Sequence, residues 1–152
     1  MKIGCDVVDL SRVVRVLARD GSIFTDRLLA GWEKGWCHRG DLPVPVKVAA
    51  CLAVKESLIK ALGGRPAGFS WTDLGLLPAG PEVPGELVAL WRELAREMGI
   101  GAEKGFFHPC RAYWSKAWAA WGATGEMVVA VALLDQNPPE LKDDRSFFKK
   151  GS

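Results

Sequence analysis

The chain has 152 residues, of which 49% are hydrophobic and 25% charged, and its formal net charge is +2. This length and composition fit one globular domain with a sizeable core and exclude a disordered chain. The small net charge excludes a general nucleic-acid coat, while it leaves room for a local basic patch. No long apolar run predicts a membrane span, and the first residues lack the apolar core of a signal peptide, so we expect a cytoplasmic protein.

The cysteines and tryptophans favour structural roles. In a cytosolic chain, four cysteines without a CxxC pair predict buried free thiols rather than disulfides or a metal site. They are Cys5, Cys37, Cys51 and Cys110. The seven tryptophans, among them Trp114, Trp118 and Trp121, are expected in the core or at an interface.

The first ten residues predict a β-strand that contains a carboxylate. Asp6 is flanked by the apolar residues Ile3, Val7 and Val8. A buried carboxylate is costly without a partner. Two roles for Asp6 therefore remain open: a local cap or salt bridge, or a metal ligand at the end of the strand.

The next segment predicts a helix with a basic outer side. Residues 12–20 have helical periodicity, and Ser11 can act as their N-cap. Arg12, Arg15 and Arg19 are spaced by three and four residues, with no acidic residue among them. Such a face either keeps the protein soluble or binds an acidic partner.

The central helix is predicted over residues 46–62, after a second short helix at 25–36 and a loop that contains two prolines. Glu56 and Lys60 lie four residues apart and therefore share one face of this helix. Taken alone, such a pair is usually a solvated surface ion pair. A pair of glycines ends the helix.

The remaining segments predict three strands and one amphipathic helix, which are the strands 69–77, 111–121 and 127–134 and the helix 86–98. Because helices and strands occur in blocks, we expect an α+β fold with a mostly antiparallel sheet packed on the long central helix. Residues 1–135 would form this single domain, and the polar residues 136–152 a flexible tail.

Three segments resemble one enzyme superfamily: Ile3-Gly4-Cys5-Asp6 on the first strand, Lys55-Glu56-Ser57 followed by Lys60 on the central helix, and Trp71-Thr72-Asp73-Leu74 on the strand after it. They resemble the 4′-phosphopantetheinyl transferases, and in particular the short, single-copy holo-acyl-carrier-protein synthase group. The resemblance extends from Met1 to about Asp135. It implies the fold of that group in a single copy.

The resemblance implies transfer of the 4′-phosphopantetheine group from coenzyme A to a serine of an apo acyl or peptidyl carrier protein, with release of 3′,5′-ADP. It implies a magnesium ion held by Asp6 and Glu56, and a hard cation on two carboxylates suits a pyrophosphate substrate. Glu56 would also help to deprotonate the serine. Lys60 would steady the transferred phosphate or the leaving oxygen.

Further roles follow from the same resemblance. Gly63 and Gly64 would let the backbone approach coenzyme A, and Lys55 would either contact phosphate or face solvent. A homotrimer with sites between subunits is implied, as is a place in fatty acid or polyketide biosynthesis. The residues that would contact the carrier protein are Arg12, Arg15 and Arg27.

Three positions depart from the family pattern. Cys51 and Leu52 stand where an arginine and an aromatic residue are common, and Trp121 stands where a histidine would contact coenzyme A. Trp121 would cover the adenine by stacking, whereas His108 lies too far upstream and is expected to be structural or on the surface. Two alternatives therefore remain: a non-catalytic relative that binds carrier protein or coenzyme A, and a small α+β domain with a chance match.

Overall fold

The fold was taken from a computed structural model, which describes residues 1–78, 83–101, 105–109 and 117–135, with the backbone alone at 78 and 105–109. The described residues form one sheet, four α-helices and a 3₁₀ turn. In chain order these are β1 (Lys2–Asp9), α1 (Leu10–Leu28), α2 (Gly31–Cys37), α3 (Val44–Leu62), the 3₁₀ turn (Trp71–Asp73), β2 (Leu76–Pro78), α4 (Gly85–Glu97), β3 (Gly105–Pro109), β4 (Ala117–Ala123) and β5 (Met127–Leu134).

The five strands of the described residues are antiparallel and follow the order β1-β5-β4-β3-β2. The first and last segments of the described chain therefore pair, from Lys2 opposite Leu134 to Asp9 opposite Met127. The predicted α+β architecture is confirmed.

The central helix α3 lies between the sheet and the pair of helices α1 and α2. Alternate residues of β5, from Val128 to Leu134, face α3, whereas Val129, Val131 and Leu133 pack against α4 on the other side of the sheet. Since α3 is covered on several sides, it is apolar around most of its circumference. Its polar residues are consequently the ones that need an explanation.

The first helix differs from the prediction. It is longer than residues 12–20, and its N-cap is Asp9, whose carboxylate accepts hydrogen bonds from the amide (2.9 Å) and hydroxyl (2.8 Å) of Ser11. Gly21, with φ of 29°, kinks α1 without ending it. The predicted helix at 25–36 is therefore divided between the end of α1 and the separate helix α2.

The prediction of a strand at 69–77 was largely wrong. The Ser70 amide donates to the Asp73 carboxylate (2.9 Å), and this local bond favours a 3₁₀ turn over extended backbone. A strand begins only at Leu76. The strand predicted at 111–121 is described from Ala117 onward, its earlier residues and the tail 136–152 lie outside the described residues, and β3 was not predicted.

Cys37 and Cys51 are buried as predicted, but Cys5 is exposed. The alternation of the edge strand β1 turns Gly4 and Val8 toward α3, so that Ile3, Cys5 and Val7 face the other way. Cys110 and Trp114 lie outside the described residues. Within the described part of the chain, no helix combines the length and the apolar character that crossing a membrane requires.

Candidate functional site

The close contact of β1 with α3 depends on a glycine. A Cβ atom at Gly4 would overlap the carbonyl oxygen of Ser57 and would lie 2.6 Å from the amide nitrogen of Ala61. The Ser57 hydroxyl donates to Ala53 O (2.7 Å) and lies 3.3 Å from Ala130 O, which ties the same turn of α3 to β5. The glycine–x–aspartate segment and the lysine–glutamate segment are thereby brought together.

Asp6 and Lys60 meet at this contact. Lys60 Nζ donates to Asp6 Oδ1 at 2.7 Å, with side chains 54% and 15% exposed. The hydrogen bond to Asp6 is the largest cause of a raised pKa at Lys60, and the negative charges of Asp6 and Glu56 add to it. The Asp6 carboxylate therefore forms a salt bridge, but with a residue distant in sequence rather than with a local one.

Glu56 lies on the same side of α3 and has a partner that the sequence analysis missed. Arg65 Nη2 is 3.7 Å from Glu56 Oε1, and the Arg65 guanidinium carbon lies 4.7 Å from the centroid of the Trp71 ring. The signal for Arg65 was present: it is the first cation after the glycine pair that ends the helix.

Gly63 and Gly64 form the turn after α3. Their φ angles are 95° and 141°, and both amides donate back to carbonyls of the last helical turn. An added Cβ at either position would meet no atom within 4 Å. The backbone conformation, rather than a lack of space, therefore requires glycine here.

Lys55 has neither of the surroundings expected for it. Its side chain is fully buried, and Nζ lies 2.7 Å from Glu33 Oε1, 2.6 Å from Leu28 O and 3.0 Å from Trp71 O. An ammonium group has three hydrogens, and these three oxygens account for all of them. Lys55 is thus a buried structural cation, and the expectation of a phosphate or solvent contact is corrected.

Comparison with known proteins bears on the fold first. No protein-family model matches the chain. A solved holo-[acyl-carrier-protein] synthase from Neisseria meningitidis superposes with a TM-score of 0.59 at 22% identity, over 89% of this chain and 98% of that one. One from Bacillus anthracis, in complex with CoA (3′,5′-ADP), gives 0.62 at 19% identity, over 88% and 94%. The chain has the holo-acyl-carrier-protein synthase fold.

Curated relatives agree with this fold. Holo-[acyl-carrier-protein] synthase of Salinispora arenicola is 41% identical over 76 residues, which are 50% of this chain and 60% of that protein. The protein of the same name from Leifsonia xyli is 48% identical over 75 residues, 49% and 56% of the two chains. The chain thus spans a little over half of the relatives' length. The resemblance predicted from the motifs is confirmed.

Within this synthase fold, Trp121 does not lie where an adenine would reach it. The residue is fully buried on the α3 side of the sheet, and its ring meets that of Trp36 edge-on at a centroid distance of 6.1 Å. The register of β4 against β5, with Trp121 opposite Ala130, sets this orientation. The expected stacking of Trp121 on coenzyme A is therefore corrected to a core role. Only the backbone of His108 is described, in β3.

The three predicted carrier-contacting arginines lie on α1 and are exposed. Arg12 and Arg15 belong to the part before the kink at Gly21, and Arg27 lies in the last turn of the helix. Val14, between the first two, is 48% exposed. The face therefore combines positive charge with a small apolar area.

The carboxylates suit a hard metal ion that keeps several non-protein ligands. Within the described residues, no group of three or more His, Cys, Asp or Glu side chains could surround a metal ion. Asp6 and Glu56, the two carboxylates whose charges act on Lys60, can supply at most two ligand groups. This is the donor set from which Mg²⁺ is bound together with phosphate oxygens and water. Asp6 Oδ1 also accepts a hydrogen bond from Lys60, so a cation held by the two carboxylates would lie close to this ammonium group.

Proposed function

We propose that the protein transfers 4′-phosphopantetheine from coenzyme A to a serine of an apo acyl or peptidyl carrier protein and releases 3′,5′-ADP. The observation that carries this proposal is the meeting of Asp6, Glu56 and Lys60 where β1 packs on α3. The names of the curated relatives and the coenzyme A in related solved structures support it.

Asp6 and Glu56 are the residues that would hold Mg²⁺. When bound, the ion offsets the negative charge that builds up on the pyrophosphate as 3′,5′-ADP leaves. Both side chains are partly exposed, at 15% and 28%, so they are accessible from solvent while attached to rigid elements.

Lys60 supplies a positive charge at neutral pH. The ordinary pKa of a lysine, 10.5, already lies far above neutrality, and the hydrogen bond to Asp6 raises the pKa of Lys60 further. Half of the side chain is exposed, so exchanging Asp6 for a phosphate oxygen costs little desolvation. Lys60 would then hold the transferred phosphate.

Glu56 would accept the proton of the attacking serine, directly or through one water molecule. The serine oxygen bonds to the phosphorus attached to pantetheine, and the bond from that phosphorus to the bridging oxygen of the pyrophosphate breaks. The departing 3′,5′-ADP takes that oxygen and the electron pair. Arg65, at 3.7 Å from Glu56, adds a second cation on the side where the phosphates would lie.

The glycine turn bounds the coenzyme side of the site. Gly63 and Gly64 present backbone without side chains at the end of α3, one helical turn after Lys60. Lys55 is not included, because its ammonium is committed to three buried oxygens.

The arginines of α1 would bind the acidic surface of the carrier protein. The exposed side chains of Arg12, Arg15 and Arg27 carry the charge, and Val14 adds apolar contact. Since the charges are exposed, carrier affinity should fall as salt increases.

Assembly into a homotrimer belongs to the same proposal. The edge strand β1 exposes Ile3 (55%) and Val7 (53%), which an adjoining subunit would cover. We place the reaction in the cytoplasm, in fatty acid or polyketide biosynthesis.

One observation favours a second candidate function, a binding protein without transferase activity. Cys51 and Trp121, which replace the arginine and histidine usual in the family, are both fully buried and supply no cation to a nucleotide. Such a protein would bind coenzyme A or the carrier protein without transferring the phosphopantetheine group.

The mass of an apo carrier protein after incubation with coenzyme A, Mg²⁺ and this protein tests the proposal. We expect a phosphopantetheine adduct that a chelator abolishes. Glu56→Gln should slow its formation by about 100-fold or more, because the proton acceptor and a metal ligand are lost. The matched control Glu126→Gln changes an exposed carboxylate in the β4–β5 turn and should leave the rate unchanged. An undiminished adduct in Glu56→Gln would contradict the assigned role, and coenzyme A binding without any adduct would support the binding protein.

Carrier docking is tested by a charge reversal. Arg12→Glu should raise the KM for the carrier about tenfold and leave the KM for coenzyme A unchanged. The control Arg92→Glu reverses an exposed arginine of α4, on the other side of the sheet. An equal loss of affinity for both substrates would contradict the docking assignment.

A further inference from the structure

The Lys55–Glu33 ion pair joins several separate segments. Both side chains are fully buried, and their charged atoms lie 2.7 Å apart. Lys55 also donates to the carbonyl oxygens of Leu28, at the end of α1, and of Trp71, in the 3₁₀ turn. Lys55 therefore binds one segment that precedes α3 in the chain and one that follows it.

Glu33 extends these connections. Its Oε1 atom accepts the Ala30 amide at 3.3 Å, and its Oε2 atom accepts the Leu76 amide at 2.9 Å. Every oxygen and every hydrogen of the two charged groups thus has a partner among the described residues. Five segments meet at the pair: the end of α1, the start of α2, the middle of α3, the 3₁₀ turn and the start of β2.

Stability alone is a weak reason for such a pair. Desolvating two charges offsets much of their attraction, and well-packed apolar side chains often replace a buried pair without loss. A buried pair does, however, demand one geometry, because each partner is costly when left alone. The geometry that this pair imposes on its neighbours is therefore the property to examine.

One connection leads back to Glu56, the residue after Lys55. Lys55 Nζ donates to the Trp71 carbonyl, and the Arg65 guanidinium carbon lies 4.7 Å from the centroid of the Trp71 ring. Arg65 Nη2 in turn lies 3.7 Å from Glu56 Oε1. Lys55 and Glu56 are adjacent in α3, so these contacts form a closed ring that begins and ends on one helical turn.

The loop that completes this ring is rich in glycine. Residues 63–70 include three glycines with positive φ, Gly63, Gly64 and Gly68, and an added Cβ at each would meet no atom within 4 Å. Such backbone is conformationally permissive, so the position of Arg65 depends on where the loop is anchored. At its far end the loop is held by the hydrogen bond to the Trp71 carbonyl, together with the packing of Phe69 and Trp71 against the core.

We propose that the buried Lys55–Glu33 pair is a positioning pair for the candidate site: by fixing Trp71, it places Arg65 against Glu56 and so sets the conformation of the Glu56 carboxylate. This inference rests on the proposed function for its catalytic meaning. Its structural part, the anchoring of residues 63–70 by the pair, stands independently of the reaction.

The test uses a variant without buried charge. In Lys55→Met/Glu33→Gln the oxygen of the new amide can still accept the Leu76 N–H. The carbonyls of Trp71 and Leu28 lose their Lys55 donor, and the Ala30 amide loses its acceptor. The matched control Lys34→Met/Asp26→Asn removes an exposed ion pair of equal type between α2 and α1, with an N–O distance of 2.8 Å. A second variant, Trp71→Leu, leaves the buried pair intact and removes the indole that Arg65 contacts. It therefore tests the same series of contacts even where the double variant does not fold.

Hydrogen exchange is the first readout. We expect the Phe69 amide, which donates to Pro66 O within the loop, to lose about tenfold or more of its protection in the double variant and to keep it in the control. Unchanged protection in a folded double variant would overturn the proposal. This outcome is independent of whether the protein is a transferase.

Binding and kinetics are the second readout. Affinity for Mn²⁺, measured by electron paramagnetic resonance, and kcat for carrier modification should each fall about tenfold in the double variant and in Trp71→Leu, with the KM for the carrier unchanged. Combining the variants should add little further loss, because both break the same path. Normal Mn²⁺ affinity and kcat in both variants would overturn the catalytic part. Inactivity of the wild-type protein would instead remove the proposed function and leave the exchange result to decide the anchoring.

Discussion

Two lysines of α3 form ion pairs with the same N–O distance, but one pair is buried and the other is partly exposed to solvent. Lys55 Nζ lies 2.7 Å from Glu33, with both side chains fully buried. Lys60 Nζ lies 2.7 Å from Asp6, with 54% of the lysine side chain exposed. The two lysines are five residues apart on one helix and the two N–O distances are equal, so burial is what distinguishes the pairs.

This difference decides what each lysine can do. Separating the buried ions would leave two uncompensated charges in the interior, whereas an exposed ion pair exchanges its partner for water at a cost of about 1 kcal/mol or less. Lys60 can therefore move from Asp6 to a phosphate group. Lys55 stays with its three buried oxygen partners and has a structural role.

Removing one partner of the buried pair should have the largest effect. Lys55→Met leaves the Glu33 carboxylate buried without its cation, and we expect the free energy of unfolding to fall by about 3–5 kcal/mol. Lys60→Met, the matched change at the exposed pair, should cost about 1 kcal/mol or less. Urea denaturation measures both. Equal losses would show that burial does not separate the two pairs.

The second prediction concerns Gly4, which permits the close approach of β1 to α3 on which the exposed Asp6–Lys60 pair depends. In Gly4→Ala the new methyl group overlaps the Ser57 carbonyl, so β1 must move away from α3. We expect a destabilisation of about 1–3 kcal/mol, with loss of carrier modification. Gly125→Ala, where an added Cβ meets no atom within 4 Å, should change neither property. A stable and fully active Gly4→Ala protein would contradict the close approach.

The reactivity of the cysteines compares the surroundings of the exposed pair with those of the buried pair. Cys5 is the sequence neighbour of Asp6, whereas Cys37 and Cys51 lie in the core around the buried pair. The hydrogen bond from Cys51 lowers the pKa of Cys37, yet burial should keep this thiol slow to react. We expect maleimide to label Cys5 more than about tenfold faster than either buried cysteine, because the latter require local opening. Mass spectrometry of a Cys110→Ser protein measures the rates, and similar rates would contradict the difference in burial.

The smallest effect should appear at alkaline pH. The pKa of Lys60 is raised above its ordinary value of 10.5, chiefly by the hydrogen bond to Asp6. The stabilisation by this pair is therefore fully present below that value and is lost as the pH rises through the raised pKa. The stability difference between wild type and Lys60→Met, at most about 1 kcal/mol, should vanish at high pH. A difference that persists there would mean that Lys60 stabilises the fold by packing instead.

The sequence predicted correctly those elements of the fold that depend on local periodicity. The helices α3 and α4 and the strand β5 were predicted within two residues, because apolar spacing and terminal glycines or prolines define them. The strand predicted at 69–77 failed because the Ser70–Asp73 bond is a side-chain interaction that periodicity does not register. The strand β3 is short and rests on pairing with β2 and β4, which are distant in sequence.

The site was predictable in its residue types but not in its partners. Glu56 and Lys60 follow from helical spacing, whereas the contact of Lys60 with Asp6 spans 54 residues and depends on the register of β1 against α3. Lys55 could not be separated from Lys60, because both are lysines on one helix and only the tertiary fold buries one of them. Trp121 failed for the same reason, since strand register alone decides which side of the sheet it faces.

The buried pair also has a consequence for the order in which the chain is assembled. The Glu33 carboxylate accepts a hydrogen bond from the amide of Leu76, 43 residues further along the chain, and Lys55 donates to the carbonyl of Trp71, 16 residues further along. As the chain leaves the ribosome, both charged groups are made well before these partners emerge. Because each charge is costly in the interior without its partners, we expect the pair to stay hydrated until residue 76 is available and to be buried only as α1, α2 and β2 pack around α3.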